Sequence, residues 1–211
     1  MKAFIFDLDG VLVFTDKYHY QGWKMIANKL GIGFDEKKNS RLRGVSRMES
    51  LDIILEDSVR KFSEEEKEDL AAEKNEYYRE LLGTMTPEDV SPEVRNTLAE
   101  LRNRGHKLAI GSSSKNTKYI LERVGLTDYF DAISDGTNIT KSKPDPEVFS
   151  KAAEFLSENP DNCVVVEDAV AGVIAGKRAG MRVAGIGDAA AYEKTDYKIS
   201  GFCELLNISV K

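Results

Sequence analysis

Two acidic pairs stand out by residue type and spacing. Asp7 and Asp9 flank one residue just after the apolar run Ala3-Phe4-Ile5-Phe6, and Glu167-Asp168 follow directly on Cys163-Val164-Val165-Val166. Ser112, Ser113, Ser114, Lys115 and Asn116 follow a third run, Leu108-Ala109-Ile110. Lys141 and Lys143 follow a fourth, Ala132-Ile133-Ser134. Four carboxylates drawn together repel: two unit charges ~4 Å apart oppose each other by about 4 kcal/mol at an effective dielectric of ~20. Either some keep their protons or a cation neutralises them. Carboxylate oxygens with no nearby His or Cys suit Mg²⁺ better than zinc. Mg²⁺ usually keeps waters and a substrate phosphate among its ligands. Lysine and serine at the same place then have a task, holding phosphate oxygens. Each residue alone has a plainer reading, since Asp after a strand caps helices and Ser/Asn clusters make turns. Four strand ends carrying matching chemistry argue for the functional one.

The four runs can bring these groups together only as strands of one sheet. Short apolar runs bounded by turn residues read as strands buried on both faces. After Pro87 they alternate with helical stretches: Val94, Leu98 and Leu101 closed by Gly105, a helix from about Asn116 to Val124 closed by Gly125, and another opening at Asp145-Pro146. A further strand is expected at residues 183–186. Repeated βα units predict an α/β fold, a doubly wound parallel sheet of Rossmann-like type. Ligands of such sheets bind beyond the carboxyl ends of the strands. Residues 15–83 break the rhythm and read as helices alone. His19, Trp23, Ile26 and Leu30 share a helical stripe. Ser46 with Glu49, and Ser63 with Glu66, have capping-box spacing. The expected organisation is a core of residues 1–14 and 84–211 with a helical cap, residues 15–83, inserted after the first strand and seated over the ligand edge.

Composition narrows the function classes. The chain has 211 residues, 41% of them hydrophobic, enough for a real core. Thirty Lys+Arg against 36 Asp+Glu give a net charge of -6, so a broad nucleic-acid surface is not expected. No apolar run reaches the ~18 residues of a membrane span. Met1-Lys2 leads straight into an apolar run broken by Asp7, without a secretory pattern. Cys163 and Cys203 have no metal-ligand spacing, and a reducing cytoplasm is the expected location.

Phe6-Asp7-Leu8-Asp9-Gly10-Val11-Leu12 resembles the first signature of the haloacid dehalogenase superfamily of phosphotransferases. Ser112, Lys143-Pro144 and Glu167-Asp168 are similar to its second, third and fourth signatures, in order. Arg43-Gly44-Val45-Ser46-Arg47, Ser50-Leu51, Thr15 through His19, Trp23 and the run from Ser112 to Asn116 resemble the hexose-phosphate mutase branch. Phe14, Arg43 and Ala169 depart from the familiar pattern, where a polar residue, a lysine and a serine are usual. The resemblance implies a haloacid dehalogenase-like core in which Asp7 is the nucleophile and forms an aspartyl-phosphate, and Asp9 is general acid and base. It implies one Mg²⁺ held by Asp7, Asp168 and the backbone carbonyl of Asp9, with Glu167 assisting, and a phosphoryl group cradled by Ser112 and Lys143.

The reaction so implied interconverts β-D-glucose 1-phosphate and glucose 6-phosphate through β-glucose 1,6-bisphosphate. A bisphosphate needs a second anion site, for which Arg47, Ser114, Lys115 and Asn116 are suited. His19 and Lys74 are expected to face the sugar and Trp23 to wall the cleft. Thr15, Arg43, Gly44, Val45, Ser46, Ser50 and Ser113 complete the substrate-binding set. The intermediate must turn around, so Thr15 and its neighbours are expected to act as a hinge. A small sugar phosphate is the expected partner, with no nucleic acid or membrane, and the protein is expected to be a monomer. The nearest alternative is a sugar-phosphate phosphatase on the same fold. A phospho-aspartate signalling receiver shares Asp, Mg²⁺ and Lys but has no use for a helical insertion or for Arg47.

Overall fold

The computed structural model describes residues 3–42 and 45–208. Six strands form one parallel sheet: β1 (Ala3–Phe6), β2 (Lys107–Gly111), β3 (Ala132–Ser134), β4 (Cys163–Glu167), β5 (Arg182–Gly185) and β6 (Tyr197–Lys198), in the order β3-β2-β1-β4-β5-β6. β1 and β4 are buried at every position, which is why their sequences run apolar without alternation. Phe6 pairs in register with Ile110 on one side and Val166 on the other. The residues that follow these three therefore leave the sheet at one level. The chain winds outward from β1 to β2 and β3, then returns past β1 to β4, so the switch point lies between β1 and β4. That is where open parallel sheets bind ligands.

The chain divides into two compact units, Met1–Phe14 with Thr86–Lys211, and Thr15–Met85. The second unit is helical: α1 (Asp16–Lys29), α2 (Glu36–Ser40), α3 (Arg47–Leu55) and α4 (Glu64–Leu82). Both expected capping boxes are present, Ser46 with Glu49 and Ser63 with Glu66. α1 and α3 each pack on α4, and Trp23, Ile26, Leu51, Ile54, Leu70 and Ala71 share their core. The buried positions of α4, Leu70, Ala71, Lys74, Tyr78 and Leu82, form one helical stripe with a lysine inside it.

In the sheet-bearing unit α5 (Pro92–Asn103), α6 (Thr117–Arg123), α7 (Glu147–Phe155), α8 (Val170–Arg178) and α9 (Asp188–Ala191) alternate with the strands. Val148, Phe149 and Ala152 of α7 pack with Ile5, Ala109 and Val165 of the sheet in one core. Three elements lie beyond the sequence-based expectation. β6 is two residues long and α9 four, too short for a period to register. α2 carries no apolar stripe; Asp35 caps it by accepting from the Lys38 amide at 2.8 Å. Among the described residues no helix is long and apolar enough to cross a membrane.

Candidate active site

The register of β1, β2 and β4 sets the site. The Asp7 amide extends the sheet by one bond, donating to the Val166 carbonyl at 2.9 Å, so Asp7 emerges beside Glu167. Asp9-Gly10 then turns the chain sharply, with Gly10 at φ +89° and its amide bonded to the Val13 carbonyl at 2.7 Å. Only glycine suits this place on two counts. Its φ is left-handed, and a Cβ there would stand 2.2 Å from Asp168 Oδ2. The Asp7–Asp9 turn can therefore close against Asp168.

Three carboxylates result, those of Asp7, Glu167 and Asp168, with one oxygen from each within 4.8 Å of the others. Asp7 and Glu167 are buried. Lys143 Nζ lies between two of them, 2.6 Å from Asp7 Oδ1 and 2.5 Å from Glu167 Oε1. The second Glu167 oxygen accepts from the Asp168 and Ala169 amides, both at 3.0 Å. Ala169, the N-cap of α8, makes no side-chain cap bond. Gly172 leaves room for the Glu167 carboxylate, which a Cβ would meet at 1.9 Å.

The charge balance of this cluster is uneven. Burial works to lower the Lys143 pKa, but the charges of Asp7 and Glu167 outweigh it and hold the ammonium above the usual lysine range. Burial raises the Glu167 carboxyl, and Asp7 adds to that while Lys143 opposes it. Asp168 is pushed up to about 8, first by burial and then by the negative charges of Glu167, Asp7 and Asp9. Among the described residues Lys143 alone pairs with these carboxylates, and its charge does not offset the burial and the negative charges that hold the Asp168 carboxyl high. An all-oxygen donor set short of positive charge fits a hard divalent cation such as Mg²⁺.

The loop after β2 folds upon itself. Ser112, 3% exposed, accepts from the Ser114 amide at 3.2 Å, and Ser114 Oγ accepts from the Asn116 amide at 3.1 Å. A serine hydroxyl that accepts still has a proton to donate. The Ser114 carbonyl takes the Gly136 amide at 3.1 Å and the Thr117 hydroxyl at 2.9 Å, tying this loop to the one after β3. An open polar cleft of about 490 Å³ lies beside them, lined by Ser113, Lys115, Gly136, Thr137, Ile139, Thr140 and Ser142. Asp7, Glu167 and Asp168 do not line it.

A second polar cluster belongs to the helical unit. Lys74 Nζ is 3.0 Å from His19 Nδ1 and sits over the rings of Tyr78 at 4.3 Å and Trp23 at 4.9 Å. An ammonium only donates, so Nδ1 accepts and the neutral ring carries its proton on Nε2. Burial, then the charges of Lys74 and Arg47, hold the His19 pKa well below the ordinary histidine range. The His19 ring lies 4.2 Å from that of Tyr78, whose hydroxyl donates to Thr15 Oγ1 at 3.0 Å. Arg47, in the first turn of α3, donates to Asn75 Oδ1 at 2.9 Å.

The sheet-bearing unit thus brings Asp7, Glu167, Asp168 and Lys143 together, with Asp9 close enough for its charge to act on Asp168. Ser112 through Asn116 form the neighbouring loop. The helical unit brings Thr15, His19, Trp23, Lys74 and Arg47 into one connected set. Ser46 is the N-cap of α3, Ser50 is buried in that helix, and Val45 is exposed. Arg43 and Gly44 lie outside the described residues. Asn75 and Tyr78 escaped the sequence reading as site residues. The available signal was spacing, since Tyr78 stands four residues after Lys74 on the same helical face.

The sequence model of the haloacid dehalogenase-like hydrolase family matches residues 1–180. The chain is 44% identical over 189 residues to the β-phosphoglucomutase of Bacillus subtilis (strain 168), covering 89% of this chain and 84% of that protein. It is 33% identical over 194 residues to a phosphorylated carbohydrates phosphatase of Thermotoga maritima, covering 88% and 85%. The crystal structure of β-phosphoglucomutase from Clostridium difficile superposes with a TM-score of 0.89 at 42% identity, covering 97% of this chain and 93% of that one.

Proposed function

The chain belongs to the haloacid dehalogenase-like hydrolase family, and from that premise we propose that it acts as a β-phosphoglucomutase. The reaction interconverts β-D-glucose 1-phosphate and glucose 6-phosphate through β-glucose 1,6-bisphosphate. The observation that carries the reading is the buried Asp7–Lys143–Glu167 ion-pair chain at the switch point of the sheet.

Asp7 attacks the phosphorus at C1 of bound β-glucose 1,6-bisphosphate. An aspartyl P–O bond forms as the P–O bond to the C1 oxygen breaks, and Asp9 gives that oxygen its proton, releasing glucose 6-phosphate. When β-glucose 1-phosphate binds, Asp9 takes the proton of its 6-hydroxyl, which attacks the phosphoryl group, frees Asp7 and regenerates the bisphosphate. Asp9 therefore alternates between acid and base. Lys143 balances the Asp7 carboxylate and, with the Ser112 hydroxyl, holds the phosphoryl oxygens as their charge is redistributed. Asp7, Asp168 and the Asp9 carbonyl would hold Mg²⁺, with Glu167 assisting, and the ion supplies charge neutralisation to the phosphoryl oxygens.

The second phosphate is assigned to Arg47, Ser114, Lys115 and Asn116. His19 and Lys74 serve the sugar, and Trp23 walls the cleft. Thr15, at the chain boundary between the two units, is assigned the hinge that lets the bisphosphate turn. Both cysteines are free thiols, in keeping with an enzyme of a reducing cytoplasm.

The phosphatase relative favours one alternative, in which water completes the reaction. β-Glucose 1-phosphate, Mg²⁺ and a trace of β-glucose 1,6-bisphosphate separate the two. Glucose 6-phosphate as the main product supports the mutase, and inorganic phosphate as the main product supports the phosphatase.

A further inference from the structure

Lys143 is carried by a loop, yet it has to meet Asp7 and Glu167 within a few tenths of an ångström. What fixes that loop is therefore part of the chemistry. Lys143 lies in the loop between β3 and α7, four residues before the first residue of that helix, Glu147. Glu147 Oε2 accepts three hydrogen bonds from the loop: from the Thr140 amide at 2.9 Å, the Thr140 hydroxyl at 2.9 Å and the Lys141 amide at 2.8 Å. Its other oxygen pairs with Lys151 one turn along, at 2.9 Å. Lys151 also donates to the Asn138 carbonyl. The Asn138 side chain ties the start of the loop to β3, accepting from Ser134 Oγ and the Asp135 amide, both at 3.2 Å.

An acidic residue in the first turn of a helix commonly serves only the helix dipole. The donors on Glu147 Oε2 rule out that account as sufficient, because all three come from Thr140 and Lys141, while the helix supplies only Lys151 to the other oxygen. The amide of Glu147 itself is taken by the Asp145 carboxylate at 3.1 Å, so the local capping role is filled by Asp145. α7 is a firm base for such a clasp. Val148, Phe149 and Ala152 are fully buried, and the Phe149 ring lies 4.8 Å from Lys143 Nζ.

We propose that Glu147 is a positioning residue for Lys143: its carboxylate clasps Thr140 and Lys141 to α7 and so sets where the Lys143 ammonium stands against Asp7 and Glu167. The proposal rests on the reading above in which Lys143 holds the transferring phosphoryl group. Misplacing a reacting group by about an ångström can cost ~100-fold in rate.

The test is a double-mutant cycle on the primed mutase assay. Glu147→Ala should lower kcat about 10- to 100-fold, with KM and Mg²⁺ affinity unchanged within about 2-fold. In a Lys143→Ala background the same change should cost nothing further, whereas a merely structural role would cost as much in both. Glu147→Gln keeps an accepting oxygen for the two amides and should retain the rate within about 3-fold. Equal losses in the two backgrounds, no loss in either, or a Gln variant as slow as the Ala variant overturn the proposal. A wild-type protein that does not turn over hexose phosphates overturns the functional reading and this proposal with it. A working wild type with additive losses overturns the positioning role alone.

Discussion

The Lys143 ammonium stands 2.6 Å from Asp7 Oδ1, with the two side chains 10% and 11% exposed. The same nitrogen reaches Glu167, whose side chain is 1% exposed. A single buried cation thus bridges the carboxylate just beyond β1 to the one that ends β4, the two strands that bound the switch point. Such a bridge is a weak source of net stability, because desolvation offsets most of the attraction. Removing one partner is a different matter, because it strands the others.

Lys143→Met should therefore destabilise the metal-free protein by about 3–5 kcal/mol, the usual cost of orphaning a buried charge. Urea unfolding with and without Mg²⁺ checks this. Mg²⁺ should recover a larger share in the variant than in the wild type, and adding Glu167→Gln should recover part of the loss without metal. Turnover should fall at least ~100-fold, as when a charge-stabilising donor is deleted.

Asp168 gives the stability a pH dependence of definite sign. Its carboxyl is held at about 8 in the fold against an ordinary 3.8, so between those values the folded protein binds more protons than the unfolded chain. Metal-free stability should fall as pH rises from about 6.5 to about 8, above the range in which the lowered His19 pulls the other way, and level off beyond it. Glu167, also raised, acts in the same direction. Thermal melts from pH 5 to 9 read the slope. Asp168→Asn should flatten most of it, and saturating Mg²⁺ should stabilise the wild type more at pH 8 than at pH 6.

Arg47→Ala should lower mutase flux about 10- to 100-fold, in line with losing a charge-assisted contact to phosphate. Hydrolysis of a small acyl phosphate, which carries one anionic group, should change little. Asn75→Ala, which frees the Arg47 fork from its 2.9 Å partner, should show a weaker form of the same pattern. Steady-state kinetics on both substrates decide; equal losses on the two would remove Arg47 from the second phosphate site.

Much of this was legible in the sequence because strand ends are. β1 and β4 are buried throughout, so their apolar runs stop abruptly at Asp7 and Glu167, and parallel pairing puts those stops side by side. The capping boxes of α3 and α4 were equally plain, since a fixed three-residue spacing satisfies two amides at once. What stayed hidden depends on contacts between distant residues. Nothing near Asn75 points to Arg47, 28 positions away. Glu147 reads as an ordinary helix start until its three loop donors are located. The interaction of Lys143 with Glu167 also escaped, because sequence order places both at the edge without saying which atoms meet.

In this mechanism everything turns on Asp7, which carries the phosphoryl group between the two sugar positions. The most direct test uses β-glucose 1,6-bisphosphate labelled with ³²P, an acid quench during turnover, and peptide mapping. An acid-stable, hydroxylamine-sensitive phosphoryl group is expected on Asp7 and should be absent from the Asp7→Asn variant. Label on another residue, or a wild type that makes glucose 6-phosphate while Asp7 never becomes labelled, would contradict this role of Asp7.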